Sequence, residues 1–423
     1  MSHPVDEILR AQKRGEVRGI TSICTAHPWV LKTALRGRSP VLIESTCNQV
    51  NQFGGYTGMN PLDFAALVHR LAAENNFPAS RIILGGDHLG PSPWQNEPAE
   101  RAMTLAVGMV HAYIHAGFTK IHLDTSMRLG GDDPAYPLDF ELAADRTALL
   151  VKAAEEIASP GTHLRYIIGT EVPIPGGATA HEDNVSVTKV DDVQRTLEVM
   201  HTAFVKAQLE AAWPRVIAVV VQPGIEFGDD FILDYNSSSA HTLARYSETT
   251  SFIYEAHSTD YQMRENLRNL VCDHFAILKV GPALTYAFRQ AVFALAIMES
   301  ELLPPTKCSH LIETLDAAMQ REPDQWKKYY HGNELELAFA RKYSLSDRAR
   351  YYWANKNVHE ALIKLVSNLE EAPLPLSLIS QYLPDIFPGI RTGEIANSVR
   401  QIVAQRIQSV LDDYSYACWE GCN

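Results

Sequence analysis

Residues 81 to 91 read RIILGGDHLGP: Ile82, Ile83 and Leu84 run through two glycines straight into Asp87 and His88. A short apolar run without polar alternation, closed by turn residues, is the pattern of a parallel strand buried on both faces. A carboxylate beside an imidazole at the end of such a strand is costly unless it finds partners or does chemistry. The same form recurs in GITSICTAH (19 to 27), PVLIESTCNQ (40 to 49), KIHLDTSM (120 to 127), RYIIGTEVP (165 to 173), RVIAVVVQPG (215 to 224), SFIYEAHS (251 to 258) and AILKVGPAL (276 to 284).

The segments between these runs, such as NPLDFAALVHRLAAENN and VDDVQRTLEVMHTAFVKAQLEAA, repeat apolar residues every three or four positions, as amphipathic helices do. Strand alternating with helix eight times predicts an α/β (β/α)8 barrel in preference to an open doubly wound sheet. The strands also end alike. Cys24 and His27, Glu44 and Asn48, Asp87 and His88, His122 and Asp124, Glu171, Gln222 and Glu226, Glu255 and His257, and Lys279 all fall at C-terminal strand ends. In a barrel those ends converge on one mouth, where such enzymes hold their active sites. The barrel is expected over residues 1–300. After LLPPTK the chain reads as helices only, which predicts a helical subdomain, 301–423, packed on the barrel. Its aromatic and basic cluster, Trp326 to Tyr330 and Arg341 to Trp353, either covers the mouth, makes a subunit contact or packs as a plain helical interface.

The 423 residues, 46% hydrophobic, are enough for one large core and an extension, and the net charge of −13 argues against nucleic acid or an anionic membrane as partner. No apolar run is long enough to cross a bilayer. Six scattered cysteines without a CxxC pair, and a polar N-terminal helix in place of a signal segment, predict a cytoplasmic chain with reduced thiols. Cys418 and Cys422 are expected in a frayed tail rather than as a redox pair.

Strand-end histidines suit a divalent metal, which takes about three N or O ligands and leaves a position open for substrate. His88 and His257 are the best imidazoles, with Glu226 and Glu171 as available carboxylates. Asp87 is placed for proton transfer or for orienting an imidazole, and Asp124 and Asp260 are weaker candidates of the same kind. Ser258, Thr259, Gly281 and the following helix start form an expected phosphate corner. Lys279 either pairs with an anion there or makes a salt bridge to Glu255 or Glu44. FGGYTGM and VPIPGGA match no nucleotide-binding pattern; Gly54, Gly55 and Gly58 are expected in a flexible loop over the mouth.

The runs CTAHP, LIESTCNQVNQFGGYTGM, IILGGDHLGP, KIHLD, YIIGTEVPIPGG, VVQPGIEF, YEAHSTDYQ and DHFAILKVGPALT, with KKYY, YSLSDRARYYW and ISQYLP further on, resemble the Z subunits of class II tagatose-bisphosphate aldolase over nearly the whole chain. That family is similar to the zinc-dependent class II ketose-bisphosphate aldolases. The resemblance implies Asp87 as acid/base, His88, Glu226 and His257 as metal ligands, and Glu171 and Lys279 as further catalytic groups. Glu226 stands where the aldolases carry histidine. Glu44, Asn48, Asp124, Gln222, Ser258, Asp260 and Gly281 are expected to touch substrate. The implied cofactor is a divalent metal, zinc first, then manganese, nickel or cobalt. Three activities go with the family: a non-catalytic subunit stabilising a separate aldolase chain, a tagatose 6-phosphate kinase, and a ketose or ketose-phosphate C4 epimerase. The missing nucleotide motif argues against the kinase. Retro-aldol epimerisation between fructose and tagatose configurations is the expectation, the stabilising subunit its alternative, and a homo-oligomer is expected.

Overall fold

Each apolar run becomes a parallel strand in the computed structural model, which describes residues 3–37, 39–133, 135, 138–169 and 185–420. The strands are β1 (Ile20–Cys24), β2 (Val41–Thr46), β3 (Ile82–Leu89), β4 (Lys120–Leu123), β5 (Arg165–Ile168) and β6 (Val216–Val221). A short antiparallel hairpin, β7 (Glu226–Phe227) and β8 (Ile232–Leu233), precedes β9 (Ile253–Ala256) and β10 (Phe275–Val280). Leaving the hairpin aside, the strands close a barrel in chain order, with β10 pairing back onto β1. The fold is the (β/α)8 barrel.

Helix α1 (Pro4–Lys13) shuts one end. Val5 and Ile8 pack into an apolar plug made by Ile20, Leu42, Ile83, Ile167, Ile217, Ile253 and Ile277. His3 caps the helix, and Asp6 ties it to β5 by a 2.5 Å ion pair with Arg165. With the N-terminal end stoppered by hydrocarbon, polar chemistry is left to the opposite mouth.

The connecting helices are α2 (Pro28–Ala34), α3 (Pro61–Glu74), α4 (Ala99–His115), α5 (Phe140–Ile157), α6 (Val190–Lys206), α7 (Ser237–Glu248), α8 (Arg264–Cys272) and α9 (Pro282–Leu302). Six more follow: α10 (Leu311–Arg321), α11 (Glu334–Tyr343), α12 (Lys356–Glu370), α13 (Leu376–Tyr382), α14 (Phe387–Thr392) and α15 (Val399–Trp419). Phe288 and Val292 of α9 share one apolar cluster with Leu315 of α10, Leu365 of α12 and Ile402 and Ile407 of α15. Helix α15 lies in the groove between α8, α9 and α2. Its Cys418 is fully buried and accepts the Gly19 backbone N–H at 3.1 Å, just before β1. The expected frayed tail is therefore wrong for Cys418: α15 is amphipathic along its length, and burial of its apolar face holds it down. Cys422 lies outside the described residues. No helix among those described is long and apolar enough to cross a membrane.

The segment between α11 and α12 is pinned over the mouth by a buried ion pair. Arg289 of α9 meets Asp347 at 2.7 Å, and Thr285 donates to the other Asp347 oxygen at 2.6 Å.

Candidate metal and sugar site

The β3–β4 register slips between Gly86 and Leu89, so Asp87 and His88 sit in a bulge, a device that re-aims side chains. His88 adopts φ +48°, a left-handed conformation that a non-glycine residue takes only when its surroundings hold it there. Gly90 follows because nothing larger fits: a Cβ there would lie 1.8 Å from the Asp124 carbonyl oxygen. That close approach brings the ends of β3 and β4 together. Along β4 and just past its end, Lys120, His122 and Asp124 alternate inward with the two-residue period of a strand.

The outcome is a cluster of three imidazoles. Ring centroids of His88 and His122 are 4.8 Å apart, those of His88 and His257 4.9 Å, and those of His122 and His257 5.2 Å. One ring nitrogen from each lies within 4.8 Å of the other two. Carboxylates orient the rings. His88 Nδ1 is 2.9 Å from Asp124 Oδ2, His122 Nδ1 3.0 Å from Asp87 Oδ1, and His257 Nε2 3.0 Å from Glu255 Oε1. His122 Nδ1 also lies 3.1 Å from the His88 backbone nitrogen, whose N–H it can accept only in the tautomer that gives up the Asp87 bond. The tautomer that donates Nδ1–H to Asp87 leaves the lone pair of His122 Nε2 free, and that buried nitrogen has no hydrogen-bond partner. An orphaned imidazole nitrogen beside two others, each ring backed by a carboxylate, is a donor set that fits a divalent cation.

The electrostatics are those of a crowded, water-poor site. Burial, then the Lys279 charge, pulls the His122 imidazole down to about 4, and burial holds His257 well below the usual range. Burial pushes the Asp87 carboxyl up, but the charges of His88 and Lys279 outweigh it and keep it well below the usual carboxylate range. Lys279 Nζ hydrogen-bonds Asp87 Oδ1 and lies 3.1 Å from His257 Nε2. Beneath the imidazoles, Lys120 bridges Glu44 and Glu255 at 2.6 Å each, all three fully buried. Burial raises the Glu44 carboxyl to about 7 despite that lysine.

Above the cluster opens a cavity of about 1080 Å³. Asn48, Asp87, His88, Asp124, His257, Ser258, Asp260, Lys279 and Gly281 line it, as expected of the mouth. Other expected positions fall elsewhere. Glu44 is sealed below the mouth against Lys120. Gln222 turns its amide oxygen onto the backbone N–H groups of Gly224 and Ile225, serving its own loop. Glu226 belongs to none of the potential metal-ligand groups among the described residues, while His122 joins His88 and His257 in one. Glu226 lies in the short hairpin, paired with Leu233 of β8. Lys279 makes its salt bridge to Asp87 rather than principally to Glu255 or Glu44. Glu171 lies outside the described residues. The Gly54–Gly58 loop is knitted down rather than loose, with Tyr56 N–H on Asn48 O at 3.0 Å and the Thr57 hydroxyl on Gln49 O at 2.7 Å. Covering the mouth was one of three expectations for the aromatic and basic cluster, and its Tyr329, Arg348, Arg350 and Tyr351 do face the cavity, joined by Tyr56, which the sequence reading had not singled out.

The family model described as D-tagatose-1,6-bisphosphate aldolase subunit GatZ/KbaZ-like matches residues 5–419. The D-tagatose-1,6-bisphosphate aldolase subunit GatZ of Klebsiella pneumoniae is 50% identical over 418 residues, covering 97% of this chain and 98% of that protein. Its counterpart in Salmonella heidelberg is 49% identical with the same coverage. The crystal structure of a probable tagatose 6 phosphate kinase from Sinorhizobium meliloti 1021 superposes with a TM-score of 0.87 at 42% identity, covering 95% of this chain and 100% of that one.

Proposed function

The chain belongs to the GatZ/KbaZ-like family of D-tagatose-1,6-bisphosphate aldolase subunits, and from that premise we propose that it serves as the stabilising partner of a catalytic class II aldolase chain in tagatose-phosphate metabolism. The observation that carries this reading is identity of about half over almost the full length of proteins named as subunits of D-tagatose-1,6-bisphosphate aldolase. Mixed with a catalytic aldolase chain of the same pathway, the protein is expected to co-elute with it and to extend the lifetime of its tagatose-bisphosphate cleavage activity. Two separate elution peaks and an unchanged lifetime would remove this reading.

A second reading is favoured by the His88, His122 and His257 cluster with Asp87 beside it, because a purely supportive surface has no use for three buried imidazoles around one point. It is a metal-dependent C4 epimerase of a ketohexose or its 6-phosphate. A bound divalent ion, zinc first among the candidates, would supply Lewis-acid stabilisation of the charge that builds on the C2 and C3 oxygens. His88, His122 and His257 would hold it. Asp87 takes the proton of the C4 hydroxyl, the C3–C4 bond opens to an aldehyde and a three-carbon enediolate, and the aldehyde turns over before the bond reforms and Asp87 returns the proton. Lys279, beside Asp87, keeps that carboxylate ionised between turnovers. The barrel over residues 1–300 carries this chemistry, and residues 301–423 roof it and keep the fragments in.

The chain alone, supplied with Zn²⁺, Mn²⁺, Ni²⁺ or Co²⁺, is expected on the second reading to convert fructose 6-phosphate or fructose into its C4 epimer. Absence of that conversion with all four ions leaves only the partner role. A coupled triose assay separates epimerisation from net cleavage.

A further inference from the structure

The place where the barrel was expected to bind phosphate is already filled. Asp260, buried at 3% exposure, accepts the backbone N–H groups of Gly281 at 3.0 Å and Ala283 at 2.8 Å, the donors that open helix α9. The neighbouring Thr259 hydroxyl is turned away onto Lys279 O at 2.6 Å. Lys279 itself is committed to Asp87. A phosphate arriving at this corner would meet a carboxylate, not a cradle of free donors.

The roof of the same cavity has the reverse problem, guanidiniums with no ion pair of their own among the described residues. Arg348 is 3% exposed, donates to Gln325 O at 3.1 Å, and its Nε has no partner. Arg350 donates to the carbonyls of Ser346 and Asp347 and, at 2.9 Å, to the Tyr351 hydroxyl. Neither guanidinium has an ion pair with a carboxylate among the described residues; Asp347, the nearest in sequence, is taken by Arg289 and Thr285. The guanidiniums are positioned by stacking, Arg348 at 3.0 Å from the Tyr329 ring centroid and Arg350 at 4.5 Å from that of Tyr351. A buried Arg348 and a half-buried Arg350 facing one cavity repel each other and lose hydration, with only the more distant charges of Asp347 and Asp260 acting on Arg350, a cost that an anion bound between them would offset. Lys328 and His331 add positive charge on the same rim, and Asp324 is the one acidic group beside them among the described residues that line the cavity there.

We infer that Arg348 and Arg350 form the phosphate-binding end of the mouth cavity, taking the phosphoryl group of a sugar phosphate whose ketose end lies at the imidazole cluster. Planar guanidinium forks match the oxygens of a phosphate monoester in a way a single ammonium does not. The inference rests on the reading of this mouth as a ketose-phosphate site, but it concerns binding and needs no turnover.

The test is calorimetric titration of the full chain with fructose 6-phosphate, fructose and inorganic phosphate. Fructose 6-phosphate is expected to bind at least about tenfold more tightly than fructose, which is about 1.4 kcal/mol, with inorganic phosphate competing. Arg348→Gln and Arg350→Gln should each erase that preference while leaving fructose binding unchanged, and Lys328→Gln, on the exposed rim, should weaken it less. Should the arginine variants fail to fold, phenylglyoxal labelling of the unaltered chain replaces them: phosphate is expected to protect Arg348 and Arg350 from modification. Equal affinity for the sugar and its phosphate, or labelling of both arginines unaffected by phosphate, overturns the proposal. Arginine-dependent binding without epimerisation sinks the epimerase reading and leaves this site standing; epimerisation of fructose 6-phosphate with no phosphate preference does the opposite.

Discussion

His122 and Lys120 belong to β4 and Asp124 follows its end, and the three sit differently: His122 in the imidazole cluster, Lys120 between two buried carboxylates, and Asp124 on the His88 ring. His122→Ala is expected to lower Zn²⁺ or Ni²⁺ affinity at least about 100-fold in a metal titration, and Asp124→Asn by about 10- to 100-fold through misorientation of His88. Glu226→Gln should leave metal content unchanged, and loss of the ion in that variant would restore Glu226 as a ligand. Lys120→Met strands two buried carboxylates and should cost about 3–5 kcal/mol by denaturant unfolding. Part of the cluster's membership was legible beforehand. His88, His257 and Asp87 stand out because each ends a buried strand, and the K-x-H-x-D alternation of β4 held the signal for His122. The place of Glu226 along the chain, just after β6, gave no sign of the hairpin that pairs it with Leu233.

The strands themselves were readable to within a few residues, since parallel strands buried on both faces leave unbroken apolar runs. What periodicity could not supply was the seam between them. The bulge at Asp87 and His88 and the contact of Gly90 with the Asp124 carbonyl are backbone features that side-chain type reports only as a glycine. Gly90→Ala is expected to push the ends of β3 and β4 apart, lowering stability by about 3 kcal/mol or more and releasing His88 from Asp124. Chemical denaturation and metal content measured on the same sample would check both effects, and a variant as stable as the parent would show that the seam has slack. Gln222 and Glu44 show the same blindness from another side. A polar residue at a strand end can cap its own loop or pair beneath the mouth, and only coordinates tell these apart.

Across the molecule, barrel and C-terminal helices share one apolar cluster, so a chain cut after Leu302 is expected to be insoluble or to unfold without a cooperative transition; a sharp thermal transition in that fragment would show a self-sufficient barrel. The junction includes His27, 4.2 Å from the Phe288 ring and 6.3 Å from that of Trp353, and burial pulls its imidazole down to about 3 from 6.5. A histidine depressed in this way stays neutral in the native state while the unfolded chain takes up a proton, so its contribution is complete above pH 6.5 and is lost progressively on acidification toward pH 3. His27→Phe should therefore lose less stability than the parent between pH 6.5 and 4, read as the difference of their unfolding midpoints. The roof was the least visible part in the sequence, because an aromatic and basic helical run looks the same whether it packs idly or faces a cavity. Helix α15 has one more consequence. Ribosomes release a polypeptide from its amino end, so the Cys418 carbonyl that accepts the Gly19 N–H beside β1 emerges only after every strand has been made. A nascent cylinder must wait with one flank bare until then, and the closing moments of translation are when a chaperone has most to shield.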